Sequence, residues 1–419
     1  MAVLLVVMVG KAGELLPLIS GLPVLKIAFV FTAIYFNRVS VLYAPVRVMS
    51  LPLARVAIAF LSLAAFSIVF SVYKSLTLEG CYLAAIYIIT FVMVLKTTQT
   101  MKDVERLLLA LAVAGSSLSI AVLLDFKGGR AHINSKFDAN DLAYSLDTVL
   151  PIVLALRGRV WGVRRALVTG LALAMCMAVL LTASRGGLLG LMVVLIAVSF
   201  CPLDLAKNGQ LRRRNIAAVV ITMAFLAGLG TVLFAYLPAS SQEHLLTLVH
   251  PEQNYNLSTT LNSSRRVIWA RDTRLALERP IGYGMGTAGF VDGVYGHGQY
   301  RTAHNSVVQA FVELGALGLY LYLASYYVAW RQLGRIRPPD PRDGPDSDAA
   351  KAALYARALR IALLGNFAVG FFLSQAYSAP LWMMLAICCA FVRVAPTDNN
   401  VETRHVRPAS YGWRRPKRA

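Results

Sequence analysis

The 419-residue chain predicts an all-α polytopic membrane protein, with about twelve spanning helices and one long, partly helical loop on the far side from the cytoplasm. Three observations carry that prediction. The composition is 57% hydrophobic and only 15% charged, whereas soluble domains carry charge at about a quarter of their positions. Apolar runs near the length needed to cross a hydrocarbon core recur along the whole sequence. Lysine and arginine alternate between the connecting segments as the positive-inside rule requires. That rule also accounts for most of the formal net charge of +20, which makes nucleic acid a poor choice of partner.

The spans fall near 2–19, 22–37, 53–73, 81–96, 105–125, 141–157, 165–184, 186–203, 215–237, 306–330, 353–373 and 376–393. The opening MAVLLVVMVGKAGELL lacks a basic leading segment and reads as a first span, not a cleavable signal. With the N-terminus inside, most basic residues lie on cytoplasmic segments, among them Lys96, Arg106, Arg157, Arg165, Arg331, Arg357 and Arg393. Both termini are then cytoplasmic. The chain reads as one membrane domain over 1–419, with a proline- and charge-rich cytoplasmic linker at 334–350 and a basic tail at 396–419. Contact with anionic lipid suits that tail. The cysteines Cys81, Cys176, Cys201, Cys388 and Cys389 lie in or at the ends of apolar runs. Their spacing fits neither zinc nor a disulfide framework, so they read as packing residues.

The external loop, 238–305, breaks the charge rule. Arg265, Arg266, Arg271, Arg274, Arg279 and Arg301 crowd into its second half, where basic residues are normally scarce. An anionic substrate gives a reason for the exception. Ser263 or Ser264 can cap a helix through RRVIWARDTRLALE, and Pro280 stops it. Arg266 and Trp269 are three apart and share a face of that helix. Arginine suits phosphate because its planar fork donates two parallel hydrogen bonds, and the tryptophan can stack on a guanidinium or a sugar ring. Arg271 and Arg274 are expected to pair with Asp272 or Glu278.

Other candidates lie at the edges of the spans. Residues 166–203 carry a single charge, Arg185. At 1.5 Å per residue that stretch makes about 57 Å of helix, enough for two crossings, so Arg185 sits at an external hairpin tip. A snorkelling side chain explains it less well than an anion partner. His304 and Asn305 stand where the long loop re-enters the membrane, and a neutral histidine can take a proton from a hydroxyl group. Glu313, inside the next span, is a functional candidate by default. A supporting role, pairing with an arginine or orienting His304, suits it best. Asp138 and Asp141 make a poor metal site beside Lys136, and GYGMG follows no strand, which fails the context test for a dinucleotide loop.

SRGG at 184–187, RVIW at 266–269, the P-x-G-x-G-x-G pattern at 280–286 and HNSVVQAFVELGALG at 304–318 together resemble the O-antigen ligase family. FDANDLAYSLDTVLP at 137–151 is similar to that family's asparagine-containing segment, which makes Asn140 a candidate. The resemblance covers roughly 137–330. It implies a GT-C-like glycosyltransferase fold and transfer of a glycan from an undecaprenyl-pyrophosphate-linked donor to lipid A–core oligosaccharide. The reaction would take place at the periplasmic face of a Gram-negative inner membrane, without metal or other cofactor. The essential histidine of the family maps onto His304, and its essential arginines onto Arg185 and onto Arg266 or its neighbour Arg265. Trp269, Asn305, Glu313, Asn140 and Arg301 are the further residues expected to serve the substrate. A repeat-unit polymerase of the same superfamily is the near alternative, although such polymerases tend to show two arginine-bearing external loops. A transporter of small anions is the alternative of another class, and the absence of a repeat and the external clustering of candidates argue against it.

Overall fold

The structure is a computed structural model that describes residues 1–10, 29–32, 34, 46–126, 129–132, 138–205, 224, 228, 231, 234–235, 239–247, 261, 264–336, 338–339 and 344–396. Thirteen α-helices lie among those residues, and no β-strand. They are α1 (Ala2–Val9), α2 (Pro52–Phe66), α3 (Lys74–Thr97), α4 (Met101–Leu124), α5 (Ala139–Arg157), α6 (Gly162–Leu181) and α7 (Arg185–Phe200). Then follow α8 (Ala239–Leu246), α9 (Arg265–Glu278), α10 (Ala288–Val294), α11 (Ser306–Leu333), α12 (Asp348–Gly370) and α13 (Ala379–Val394).

Seven are long and apolar enough to cross a membrane: α2 with its following turn, α3, α4, α5, α6, α11 and α12. The apolar helices α7 and α13 are 16 residues each, shorter than a full crossing. Those nine coincide with nine of the expected spans. The expected span at 2–19 is described only through residue 10, where α1 covers its first half, and the expected spans at 22–37 and 215–237 lie largely outside the described residues, as does the basic tail.

Helix ends follow local chemistry. Thr100 and Asp103 form a capping box at the start of α4. Asp138, Ser184, Ser264, Asn305 and Ser347 each offer a side-chain oxygen to first-turn amides of α5, α7, α9, α11 and α12. The predicted helix 265–278 with its Ser264 cap is therefore present as expected, and Pro280 follows its end.

The bundle is centred on α5, which packs on α4, α6, α7 and α12. In α5, 78% of the apolar window is buried, against 22% in peripheral α6. Small residues permit this density. A Cβ at Gly190 of α7 would stand 2.0 Å from a Val369 methyl of α12, so only glycine lets these helices approach.

The segments expected on the cytoplasmic side meet at one end of the bundle. There Glu105 pairs with Arg159 and Lys351, and Asp204 with Arg157 and Arg165. Arg393 donates to the carbonyls of Leu95 and Thr98. At the opposite end α5, α7 and α11 begin, with α9 docked on α11. The candidate residues gather at this second end.

Candidate active site

The α6–α7 hairpin turns through Thr182, Ala183 and Ser184, with Ala183 in the left-handed region at φ 47°. Ser184 accepts from the Gly187 amide at 3.2 Å and donates to Asn140 Oδ1 at 2.8 Å. Arg130 donates to the same oxygen at 3.0 Å and to the Thr182 carbonyl at 3.0 Å. Asn140 is thus the acceptor through which Arg130 and α5 hold the hairpin tip. Asp138 caps α5 at 2.7 and 2.9 Å, and Asp141 accepts from Gln375, so neither acid stands idle as a metal ligand. Arg185, half-buried, is the first residue of α7 and donates to Thr247 at 2.6 Å.

The same local grammar recurs at α9, where Ser264 caps and Arg265 is the first helical residue. A cation in the first turn opposes the helix macrodipole, which favours negative charge there. Two such placements, each at a helix start where the macrodipole is positive, make this end of the protein suited to an anion. Arg265 donates to the Phe372 carbonyl at 3.1 Å and its charge acts on His304.

Arg266 goes elsewhere. One residue on an α-helix turns the side chain by about 100°, and Arg266 lines an outer groove of about 670 Å³ with Arg271, Arg274, Tyr295 and His297. Within that region Arg274 pairs with Glu278 at 2.9 Å, as expected. Arg271 pairs with buried Asp292, not with Asp272, because its side chain reaches across to α10. Asp272 is fully buried, and burial with neighbouring Asp292 raises its carboxyl to about 8. Among the described residues Trp269 stacks on no guanidinium. Its Nε1 donates to the Ala303 carbonyl at 2.5 Å and its ring meets Phe371 edge-on at 5.6 Å, tying α9 to the loop that carries His304.

His304 is half-buried and in the left-handed region at φ 46°, a strained placement for a side chain with Cβ. Burial and the charges of Arg265 and Arg301 depress its imidazolium to about 4, while Asp138 acts in the opposite sense. The ring is therefore neutral at ordinary pH. Asn305, 2% exposed, spends its Oδ1 on the Val307 and Val308 amides, which makes it the cap of α11. Arg301 is exposed, and its backbone amide donates to Asp292.

Among the described residues Glu313 meets neither an arginine nor His304. Its carboxylate accepts the Gly286 amide at 2.9 Å and the Ala288 amide at 3.1 Å. This is possible because α11 breaks at Gly315, with φ 67° and ψ −164°. Carbonyls freed by the break accept from Tyr283 and Gly284, and Ala316 donates to Pro280. The glycine-rich P-x-G-x-G-x-G segment is a plug for a broken helix.

The turn at 371–375, between α12 and α13, was not among the expected site residues. Phe372 meets Arg265 and lies against Gly186, Phe371 meets Trp269, Ser306 bridges Leu373 and Gln375, and Gln375 reaches Asp141. The polar pair Ser374-Gln375 interrupting two apolar runs is the signal that sequence reading had for it. Among the described residues no group of three or more His, Cys, Asp or Glu is arranged to hold a metal.

Residues 170–323 match the family model described as O-antigen ligase, and no curated protein matches the chain. That stretch supplies Arg185, Arg265, Arg266, Trp269, Arg301, His304, Asn305 and Glu313, while Asn140 and the 371–375 turn lie outside it. With seven helices among the described residues fit to cross a bilayer, the chain is a multi-pass membrane protein whose residues 170–323 are similar to the O-antigen ligase family.

Proposed function

We propose that the protein is an O-antigen ligase, transferring glycan from undecaprenyl pyrophosphate to lipid A–core oligosaccharide at the periplasmic face of the inner membrane. One observation carries this reading. A neutral imidazole, His304, lies under the charge of Arg265 at an end of the bundle where helices begin on arginines. Neutral imidazole is the proton-accepting form. In the proposed reaction one ring nitrogen of His304 takes the proton of an acceptor sugar hydroxyl as its oxygen bonds to the donor's anomeric carbon. The bond from that carbon to the pyrophosphate oxygen breaks, and direct displacement inverts the centre. The electron pair leaves on the pyrophosphate, whose growing charge is met by Arg185 and Arg265 and by the amide ends of α7 and α9. No metal enters the step.

Donor binding also re-tunes the base. Arg265, the larger of the two charges that depress His304, is one that a pyrophosphate would neutralise, so binding the anion raises the imidazole toward its ordinary value, where it is a stronger acceptor. Arg266, turned to the outer groove, is assigned to the acceptor oligosaccharide and not to the leaving group.

The test is ligation by purified protein in proteoliposomes with an undecaprenyl-pyrophosphate glycan, with and without lipid A–core. His304→Ala should abolish product on lipid A–core while donor binding persists. Wild-type ligation by that variant removes His304 from the reaction. Product lengthened on the donor without lipid A–core would instead make the protein a polymerase.

A further inference from the structure

At the end of the bundle opposite the candidate active site, two arginines stand apart from the paired ones. Arg159, Lys351, Arg157 and Arg165 are neutralised by Glu105 and Asp204. Arg357 and Arg360, one turn apart on α12, form no ion pair among the described residues. Arg357 donates to the Pro202 carbonyl at 2.8 Å. The Arg360 guanidinium lies over the Trp330 ring at 4.3 Å from its centroid, and its buried Nε has no hydrogen-bond partner among the described residues. Both line a cavity of about 390 Å³ between α7, α11 and α12, with no carboxylate among the described residues of its wall.

That cavity does not end there. A second space of about 280 Å³, almost wholly apolar, runs between α11 and α12 past Leu323, Tyr326 and Phe367. Trp330 and Leu364 belong to the walls of both. The two helices are apolar enough to span a bilayer, so the groove faces acyl chains, and a tryptophan at its mouth marks the level where headgroups begin. A free inorganic anion would use the guanidiniums and leave the groove unused. A molecule with a phosphate at one end and a hydrocarbon chain at the other uses both.

We propose that Arg357 and Arg360, with the groove between α11 and α12, form a binding site for an anionic phospholipid at the basic end of the bundle. The phosphate would accept from the Arg360 guanidinium and from Arg357, and one acyl chain would lie along the groove. Basic pockets between spanning helices favour such headgroups, with each cation near the surface contributing about fivefold in affinity.

The full-length protein in detergent micelles, titrated with dioleoylphosphatidylglycerol and read by native mass spectrometry, tests the site. Dioleoylphosphatidylcholine has the same chains with a neutral headgroup, and glycerol 3-phosphate has the headgroup chemistry without chains. The phosphatidylglycerol should bind at least about fivefold tighter than the phosphatidylcholine, and Arg360→Gln should remove about that factor. Leu364→Trp fills the point shared by the two cavities and keeps both guanidiniums. It should weaken both lipids, and it serves where Arg360→Gln does not fold. Exposed Arg164→Gln at the same end should change nothing. Equal binding of the two lipids overturns the proposal. So does phosphatidylglycerol affinity left unchanged by Leu364→Trp, or glycerol 3-phosphate bound as tightly as the lipid.

Discussion

Substituting Glu313 by alanine tests whether the glycine-rich segment is held as a plug in α11. The substitution removes both acceptor oxygens, leaving the Gly286 and Ala288 amides without partners. Ala288 is 2% exposed, so its amide has no water to turn to. An orphaned buried donor costs about 1–3 kcal/mol. Gly286 is exposed, so its amide can turn to water and adds little, and the cost is about 1–3 kcal/mol. The remaining backbone bonds, from Tyr283 to Val312 and from Gly284 to the carbonyl of residue 313, are unaffected by the side chain. The expected result is therefore local opening of 284–288 and not global collapse. At 1.4 kcal/mol per tenfold, amide exchange in that segment should accelerate about 5- to 140-fold. Hydrogen exchange read by mass spectrometry in micelles measures it directly. Glu313→Gln keeps one acceptor oxygen and should give an intermediate acceleration. Unchanged exchange over 284–288 in Glu313→Ala, with the fold intact, would refute the plug.

Gly315→Ala should be more severe than any substitution at Glu313. It places a side chain at φ 67° and a Cβ 1.9 Å from the Pro280 carbonyl oxygen, so a lowered melting temperature and loss of folded yield are expected on purification. Arg265→Gln should lower ligation kcat about a hundredfold or more. Arg266→Gln should instead raise the acceptor KM with kcat nearly kept, and kinetics with varied acceptor separates the two. The pH profile of kcat/KM reports the free enzyme. Because the His304 imidazolium is lowered to about 4, its proton-accepting form persists as pH falls and the acid limb should lie near pH 4, not near 6.5. Removing a positive neighbour raises that value, so Arg265→Gln should move the limb upward. A limb that stays in place would show that Arg265 does not act on His304.

Several features were legible from the residues alone because they are local. Apolar run length marks a spanning helix wherever it occurs. Ser264, the run to Glu278 and Pro280 bound a helix through chemistry confined to its own ends. The hairpin at Arg185 follows from an apolar stretch too long for one crossing, and α6 and α7 divide it there. Other features belonged to the tertiary structure. Adjacent Arg265 and Arg266 are equivalent as letters, and only the docking of α9 against α11 and the 371–375 turn sends one toward His304 and the other to the groove. Arg271 had a carboxylate next to it in the chain and paired with Asp292 across a loop. Glu313 looked like a partner for a cation and instead serves two amides, because Gly315 breaks its helix at the place where another segment fills the gap. Hydrophobic length and capping are decided within a few residues of the chain. The direction of a side chain and the partner of a buried charge are decided by whichever distant backbone packs against them.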